Sequence, residues 1–245
     1  MRRSCTLAFG LALGLATPAS APAQVAPIDG WGWTILIPSV AQTDVLGSHL
    51  RQMRENDVGA PGPTAGTDEK PATLRYTPSR ARREANLAAF LAKSRQRDPE
   101  SARSLEQLFA QGDIIERMAP LIAPYGMRID NVADAYAMWW IDAWQASHRR
   151  NDDTSKSTFA AVRAQAARAL SSAPELAAAD DATKQRFAEA LFLQALLLEA
   201  AMDQARADAA LLDGVATAAA QGARGMGLDM SAMELTPNGF VTAKE

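Results

Sequence analysis

From Thr77 onward the apolar positions recur at intervals of three and four, cut by capping residues, prolines and glycines. That combination predicts amphipathic helices separated by short turns. Thr77-Pro78 supplies an N-cap and a proline for a first helical position, opening a helix to about Arg97 with Leu87, Phe90 and Leu91 on one face. Asp98-Pro99 repeats the signal for a helix to about Ala110 carrying Ala102, Leu105, Leu108 and Phe109. After Gly112, Asp113 with Glu116 reads as a capping box for a short helix bearing Ile115, Met118 and Ile122, kinked and ended by Pro120 and Pro124. Gly126 punctuates again. Asn131 with Asp134 reads as the next capping pair, opening a helix from Val132 to about Arg149 that is rich in aromatic residues.

Ser157 caps a helix whose buried face is Phe159, Val162, Ala166, Ala169 and Leu170. The longest helix runs from about Asp181 to Arg206, and seven of its eight residues over 191–198, all but Gln194, are apolar and cover every direction around the axis. A helix of that kind is surrounded by protein, so it is expected at the centre of the bundle. Asp208 caps a last helix with Leu211, Val215, Ala218 and Gly222 on a narrow face. In the tail, Pro237-Asn238-Gly239 is a turn signal between apolar flanks at Leu235 and Val241, which predicts a small β-hairpin with residues 35–37 as a candidate pairing partner. The fold class is therefore all-α, a bundle of about six or seven helices around a central apolar helix, with an irregular N-terminal arm and a minor β-hairpin.

The N-terminal part reads differently. Arg2 and Arg3 precede a short apolar run over residues 7–16, and Ala21-Pro22-Ala23 gives small residues at a peptidase site. Residues 1–23 are expected to be an export signal cleaved before Gln24, which places the mature chain in the periplasm or outside the cell. Residues 31–37 are aromatic and β-branched and read as a strand, residues 45–53 as a helical turn or two, and residues 56–73 as a Gly/Pro/Thr-rich linker. The organisation is a signal at 1–23, an irregular arm and linker at 24–73, and a helical domain at 74–245.

Composition narrows the chemistry. The single cysteine, Cys5, lies within the expected signal, so a mature chain could use neither disulfides nor cysteine catalysis. The net charge of −3 becomes more negative once Arg2 and Arg3 are lost, which disfavours nucleic acid and anionic membranes as partners. No stretch of the mature chain is long and apolar enough for a membrane span. The two histidines, His49 and His148, belong to no metal-ligating motif, and no metal or cofactor is expected. His148 reads as a helix C-terminal residue and His49 as a surface residue. No Gly-x-Ser-x-Gly elbow or phosphate-binding loop is present, and Asn151-Asp152-Asp153 lacks the ligand spacing of a calcium loop.

The remaining candidates lie on the aromatic helix. Tyr136, Trp140 and Trp144 follow each other at i, i+4 and i+8, with Trp139 beside them. This arc reads as core packed on the helix containing residues 191–198, or alternatively as the lining of a groove in which Trp and Tyr anchor a ligand. Asp142 lies between Ile141 and Trp144. It reads as a solvent-facing or arginine-paired aspartate, or alternatively as the acidic group of a helical cleft. Its distance from Asp134, about 12 Å along the axis, is too long for a glycosidase pair. The candidate binding residues are thus Tyr136, Trp139, Trp140, Asp142 and Trp144, with no catalytic residue assigned.

The stretch Pro124-Tyr125-Gly126, Asn131-Val132-Ala133-Asp134-Ala135-Tyr136, Trp139-Trp140 and Ala143-Trp144 resembles an uncharacterised family of secreted bacterial proteins known only as a domain of unknown function. Tyr76-Thr77-Pro78-Ser79 and residues 221–228 fit the same resemblance, which covers about residues 76–241. It implies no activity. The expected function is a non-enzymatic exported protein that binds a protein or peptide partner in the cell envelope or outside the cell. The alternatives are an enzyme of unrecognised class with a helical cleft near Asp142, or a structural helper in envelope assembly.

Overall fold

The structure is a computed structural model that describes residues 74–173, 176 and 178–243. The expected signal, the arm with its strand and helical turns, the linker and His49 lie outside the described residues, as does any pairing of the tail with residues 35–37. Seven α-helices are described: α1 (Arg80–Arg97), α2 (Pro99–Ala110), α3 (Ile114–Ile122), α4 (Val132–Ser147), α5 (Lys156–Ser171), α6 (Asp181–Ala205) and α7 (Ala209–Gly225). A 3₁₀ turn at Ala123–Tyr125 follows α3, and another at Met230–Ala232 leads into an antiparallel hairpin of β1 (Met233–Thr236) and β2 (Gly239–Thr242). No described helix is long and apolar enough to cross a membrane.

Each helix begins on a side-chain cap, although two caps differ from expectation. Ser79, not Thr77, caps α1, and Ser155, not Ser157, caps α5. Thr77 is diverted because the chain before α1 docks in extended form. Residues 75 and 131 form a β-bridge, Tyr76 N–H donates to the Asp130 carbonyl, and Thr77 N–H donates to Asp181 Oδ2 at 3.1 Å. The two expected capping boxes are only half formed. Asp113 and Asn131 do cap their helices. Glu116, however, turns to Arg83 on α1, and Asp134 turns back to the loop before α4.

Two helices share the centre. Helix α6 packs against α3, α4, α1 and α7, and six of its eight residues over 191–198 are buried, with Leu196 and Leu197 partly so. Helix α4 packs against α5, α6 and α7 and is more completely enclosed: among its residues only Met138, Asp142 and Ser147 escape full burial. The loop ahead of α4 is held by Asp134, wholly buried, which accepts from Arg128 N–H at 3.1 Å and pairs with Arg163 of α5 at 3.1 Å. Burial pushes the Asp134 carboxyl up to about 6, against the opposing pull of Arg163.

The tail hairpin is a lid on the core. Phe240 stacks on Trp140 with ring centres 4.3 Å apart, and Trp144 Nε1 donates to the Met233 carbonyl at 2.8 Å. Gln165 of α5 stands in for a neighbouring strand: its Nε2 donates to the Phe240 carbonyl at 2.7 Å and its Oε1 accepts from Phe240 N–H at 2.8 Å. Gly239 makes this approach possible. Its φ is +98°, and a Cβ there would meet Gln165 Oε1 at 2.4 Å.

Two substitutions test the lid. Gly239→Ala combines backbone strain with displacement of Gln165 and is expected to cost about 1–3 kcal/mol in urea denaturation. Trp140→Ala, which vacates the site under Phe240, is expected to cost about 3–5 kcal/mol by the same measurement.

Candidate functional site

The aromatic arc is interior. Tyr136, Trp139, Trp140 and Trp144 are each no more than 4% exposed, so none presents a surface to a partner. Tyr136 packs edge-on to Trp139 and Trp140 and meets Phe187 of α6, while Trp140 and Trp144 are covered by Phe240. The arc is thus packed partly on α6, and partly on a C-terminal hairpin whose contact with it had no local signal in the sequence. Trp144 also stacks on His148, whose Nδ1 lies 2.9 Å from the Trp144 carbonyl oxygen at the C-terminus of α4.

Asp142 is separate from that arc. It is partly buried, and among the described residues it pairs with no arginine. Met138, Asp142 and Gln145 stand at i, i+4 and i+7 on one face of α4, where Met138 and Asp142 are only partly buried. That face forms the floor of a cleft of about 490 Å³, within the size range of ligand sites. One wall comes from α3 and its 3₁₀ turn, with Met118, Leu121 and Tyr125; the other comes from α6, with Glu199, Met202 and Asp203. Residues 150–154 close one end. Gln145 holds them there: its Oε1 accepts from Asp152 N–H at 2.6 Å, and its Nε2 donates to the Asp152 carbonyl and to Thr154 Oγ1, both at 3.0 Å.

The cleft has two chemistries. Its apolar side is built from methionines, Tyr125 and Phe159, the two rings meeting edge-to-face at 5.0 Å. At the rim Leu121 is 68% exposed, the most exposed of the large hydrophobic residues described. Its polar side is acidic. Both cations there are already engaged: Arg150 donates to Asp152 at 2.6 Å, and Arg206 donates to Asp203 at 2.8 Å. Asp203 also accepts from Asn151 at 2.9 Å.

Asp142 has no hydrogen bond or ion pair among the described residues, and its Oδ2 is sealed from solvent without a partner. Burial drives its carboxyl well above the ordinary value, and the negative charge of Glu199 adds to the rise. Glu199 is exposed, and its carboxyl is raised by partial loss of water first and by the charge of Asp203 second. Two carboxyl groups that hold protons unusually well therefore face one cleft. Sequence reading weighed Asp142 but missed Glu199, because nothing local marks a glutamate on an apolar helix as facing a distant aspartate. Among the described residues no group of three or more His, Cys, Asp or Glu side chains is placed to hold a metal ion.

An unpartnered buried carboxyl lowers stability, and removing it shows how much. Asp142→Leu is expected to raise stability at neutral pH by about 1–3 kcal/mol. The sign of the pH dependence follows from the raised value. The folded chain binds a proton at Asp142 where the unfolded chain does not, so wild-type stability falls as pH rises above the ordinary carboxylate value of 3.8. Urea denaturation of both proteins across that range is expected to show a shallower decline for the variant.

Comparison with curated proteins and with solved structures gives no match in either case. A family model does match, described as a family of unknown function, and it covers residues 7–243. The match takes in the cleft-forming segments and extends N-terminal to the stretch over which the resemblance was read. The chain belongs to the family of unknown function DUF6683.

Proposed function

We propose that this chain is an exported, non-enzymatic protein that binds a peptide segment of a protein partner in the cleft between α3, α4 and α6. The N-terminal order of basic, apolar and small residues supports export to the periplasm or beyond. The observation that carries the binding reading is the cleft-lining face of α4. In a helix otherwise enclosed, that face carries two partly buried residues, an aspartate without a partner among the described residues and a methionine one turn before it. Methionine adapts to irregular apolar surfaces and suits a site that accepts a flexible segment. The binding residue retained from the sequence is Asp142, while Tyr136, Trp139, Trp140 and Trp144 support α4 from behind.

A second reading rests on the same carboxyl. A proton held at Asp142 in apolar surroundings, with Glu199 nearby, is the arrangement of a general acid with an acidic partner. Hydrolysis of a glycoside panel by the purified chain, abolished by Asp142→Asn, would select this enzymatic reading over the binding one. A role as a structural helper in envelope assembly keeps the same cleft but requires no chemistry there.

The binding reading is tested by photo-crosslinking in the native cell. A crosslinker at Leu121 on the rim is expected to yield a discrete adduct, and one at Ala88, on the exposed face of α1, is not. Filling the cleft with Met138→Trp should reduce the Leu121 adduct by about tenfold while the protein remains folded by circular dichroism. Equal adducts at both positions, or an adduct indifferent to Met138→Trp, would remove the cleft from the function.

A further inference from the structure

We propose that the segment seated in the cleft presents a lysine or arginine side chain to Asp142 and Glu199 and lays apolar side chains on the methionine wall. This rests on the peptide-binding reading above and names the chemistry of the peptide.

The charge balance of the cleft is the first reason. Arg150 and Arg206 are each paired at the exposed rim with a carboxylate of the same cleft, Asp152 and Asp203, and neither pairs with Asp142 or Glu199. Asp142, Glu199 and Asp153 are left without a hydrogen bond or ion pair among the described residues. A ligand entering this space meets uncompensated acid, and an anionic group would be repelled by it.

The state of Asp142 is the second reason. Its side chain lines the cleft, and its Oδ2 is sealed from solvent and lacks a donor. Buried carboxyl oxygens in stable proteins are almost always hydrogen-bonded. A guanidinium or ammonium group would supply the missing donors and allow Asp142 to ionise, and the resulting charge-assisted bonds are among the stronger ones available to a protein.

The apolar wall chooses between kinds of cation. A divalent ion needs several converging oxygen ligands, and the described residues contain no group of three such side chains placed for it. Half of this cleft is instead hydrocarbon, sulfur and aromatic ring, from Met118, Met138, Met202, Tyr125 and Phe159. A long basic side chain has a matching character, with an apolar stem and a charged head. The exposed Leu121 at the rim continues the apolar surface past the cleft, so a chain of several residues is accommodated better than an isolated amine.

Two blocked synthetic peptides test this: acetyl-Leu-Met-Arg-Leu-Leu-amide and its twin with norleucine in place of arginine. Each is titrated calorimetrically into the full chain at mildly acidic pH, in two buffers that differ in ionisation enthalpy. The arginine peptide is expected to bind about tenfold tighter than its twin. Its binding should also release a proton, because the cation favours the ionised carboxyl of Asp142. Asp142→Asn should keep the fold, abolish the proton release and bring the two peptides to within about threefold of each other. Glu199→Gln should narrow the preference in the same direction. If both peptides bind wild type equally and no proton is released, the cleft takes peptides but the assignment of a basic side chain is overturned. If neither peptide binds at millimolar concentration, the peptide-binding reading fails together with it. If calcium ion alone displaces the arginine peptide, the carboxyls serve a metal and the proposal is likewise overturned.

Discussion

The near-complete enclosure of α4 is the constraint on which the rest depends. A helix surrounded on most sides by α5, α6, α7 and the tail hairpin has no water to satisfy its polar side chains. Most such groups find a partner, Asp142 Oδ2 and Trp139 Nε1 being the exceptions, and the partners found shape the neighbouring loops. Asp134 fixes the turn before the helix through Arg128 N–H and Arg163. The indole of Trp144 fixes the start of the hairpin through the Met233 carbonyl. Gln145 fixes residues 152–154 through three hydrogen bonds. The loops around α4 are therefore placed by the burial of α4, and the cleft is bounded by one of them.

The outer wall of the cleft depends on a second network, centred on Arg83. This side chain is buried and donates to Glu189 of α6 at 2.9 Å and to both Asp113 and Glu116 at 2.7 Å. Asn86 and Gln185 satisfy the remaining capacity of Glu189, at 2.6 and 2.8 Å. The network clamps the first turn of α3 to α1 and α6, and α3 in turn carries Met118 and Leu121 to the cleft. A buried charge of this kind contributes little net stability when fully paired, yet its loss leaves several charges uncompensated. Its structural value lies in orientation: α3 is short and contains Pro120, and its own hydrogen bonds would not hold it in place.

Most helix boundaries and caps, and the apolar stretch of α6 around Gln194, were legible because each is written within a few residues of sequence. Asp98, Asp113, Asn131 and Asp208 act at the positions where local capping rules put them. What local rules could not reveal is competition from afar. Thr77 has the chemistry of a cap but its backbone belongs to a contact with Asp181, more than a hundred residues on. Glu116 has the spacing of a capping box but its carboxylate is drawn to Arg83. The aromatic arc was visible as an arc, yet its covering by Phe240 depends on a long-range contact made possible by Gly239 and Gln165. In the cleft, Asp142 was legible as a candidate acidic group, and Met138 was not singled out. Glu199 was not legible, because its relation to Asp142 exists only after α4 and α6 pack.

That packing also explains why Asp142 is informative where the tryptophans are not. Large aromatic residues are retained in a core for stability alone, so their presence does not distinguish function from folding. A carboxyl with no hydrogen-bond partner, raised by burial and by a second acid, works against stability. A leucine or asparagine at the same position would fit the local helix at least as well. Residues that weaken a fold in the absence of a local structural gain concentrate where proteins engage ligands, because the same unmet bonding capacity is available to what binds. Arg150 and Arg206 sharpen the argument. Both are near enough to line the cleft, yet both pair with other carboxylates, which leaves Asp142 without a cation among the described residues.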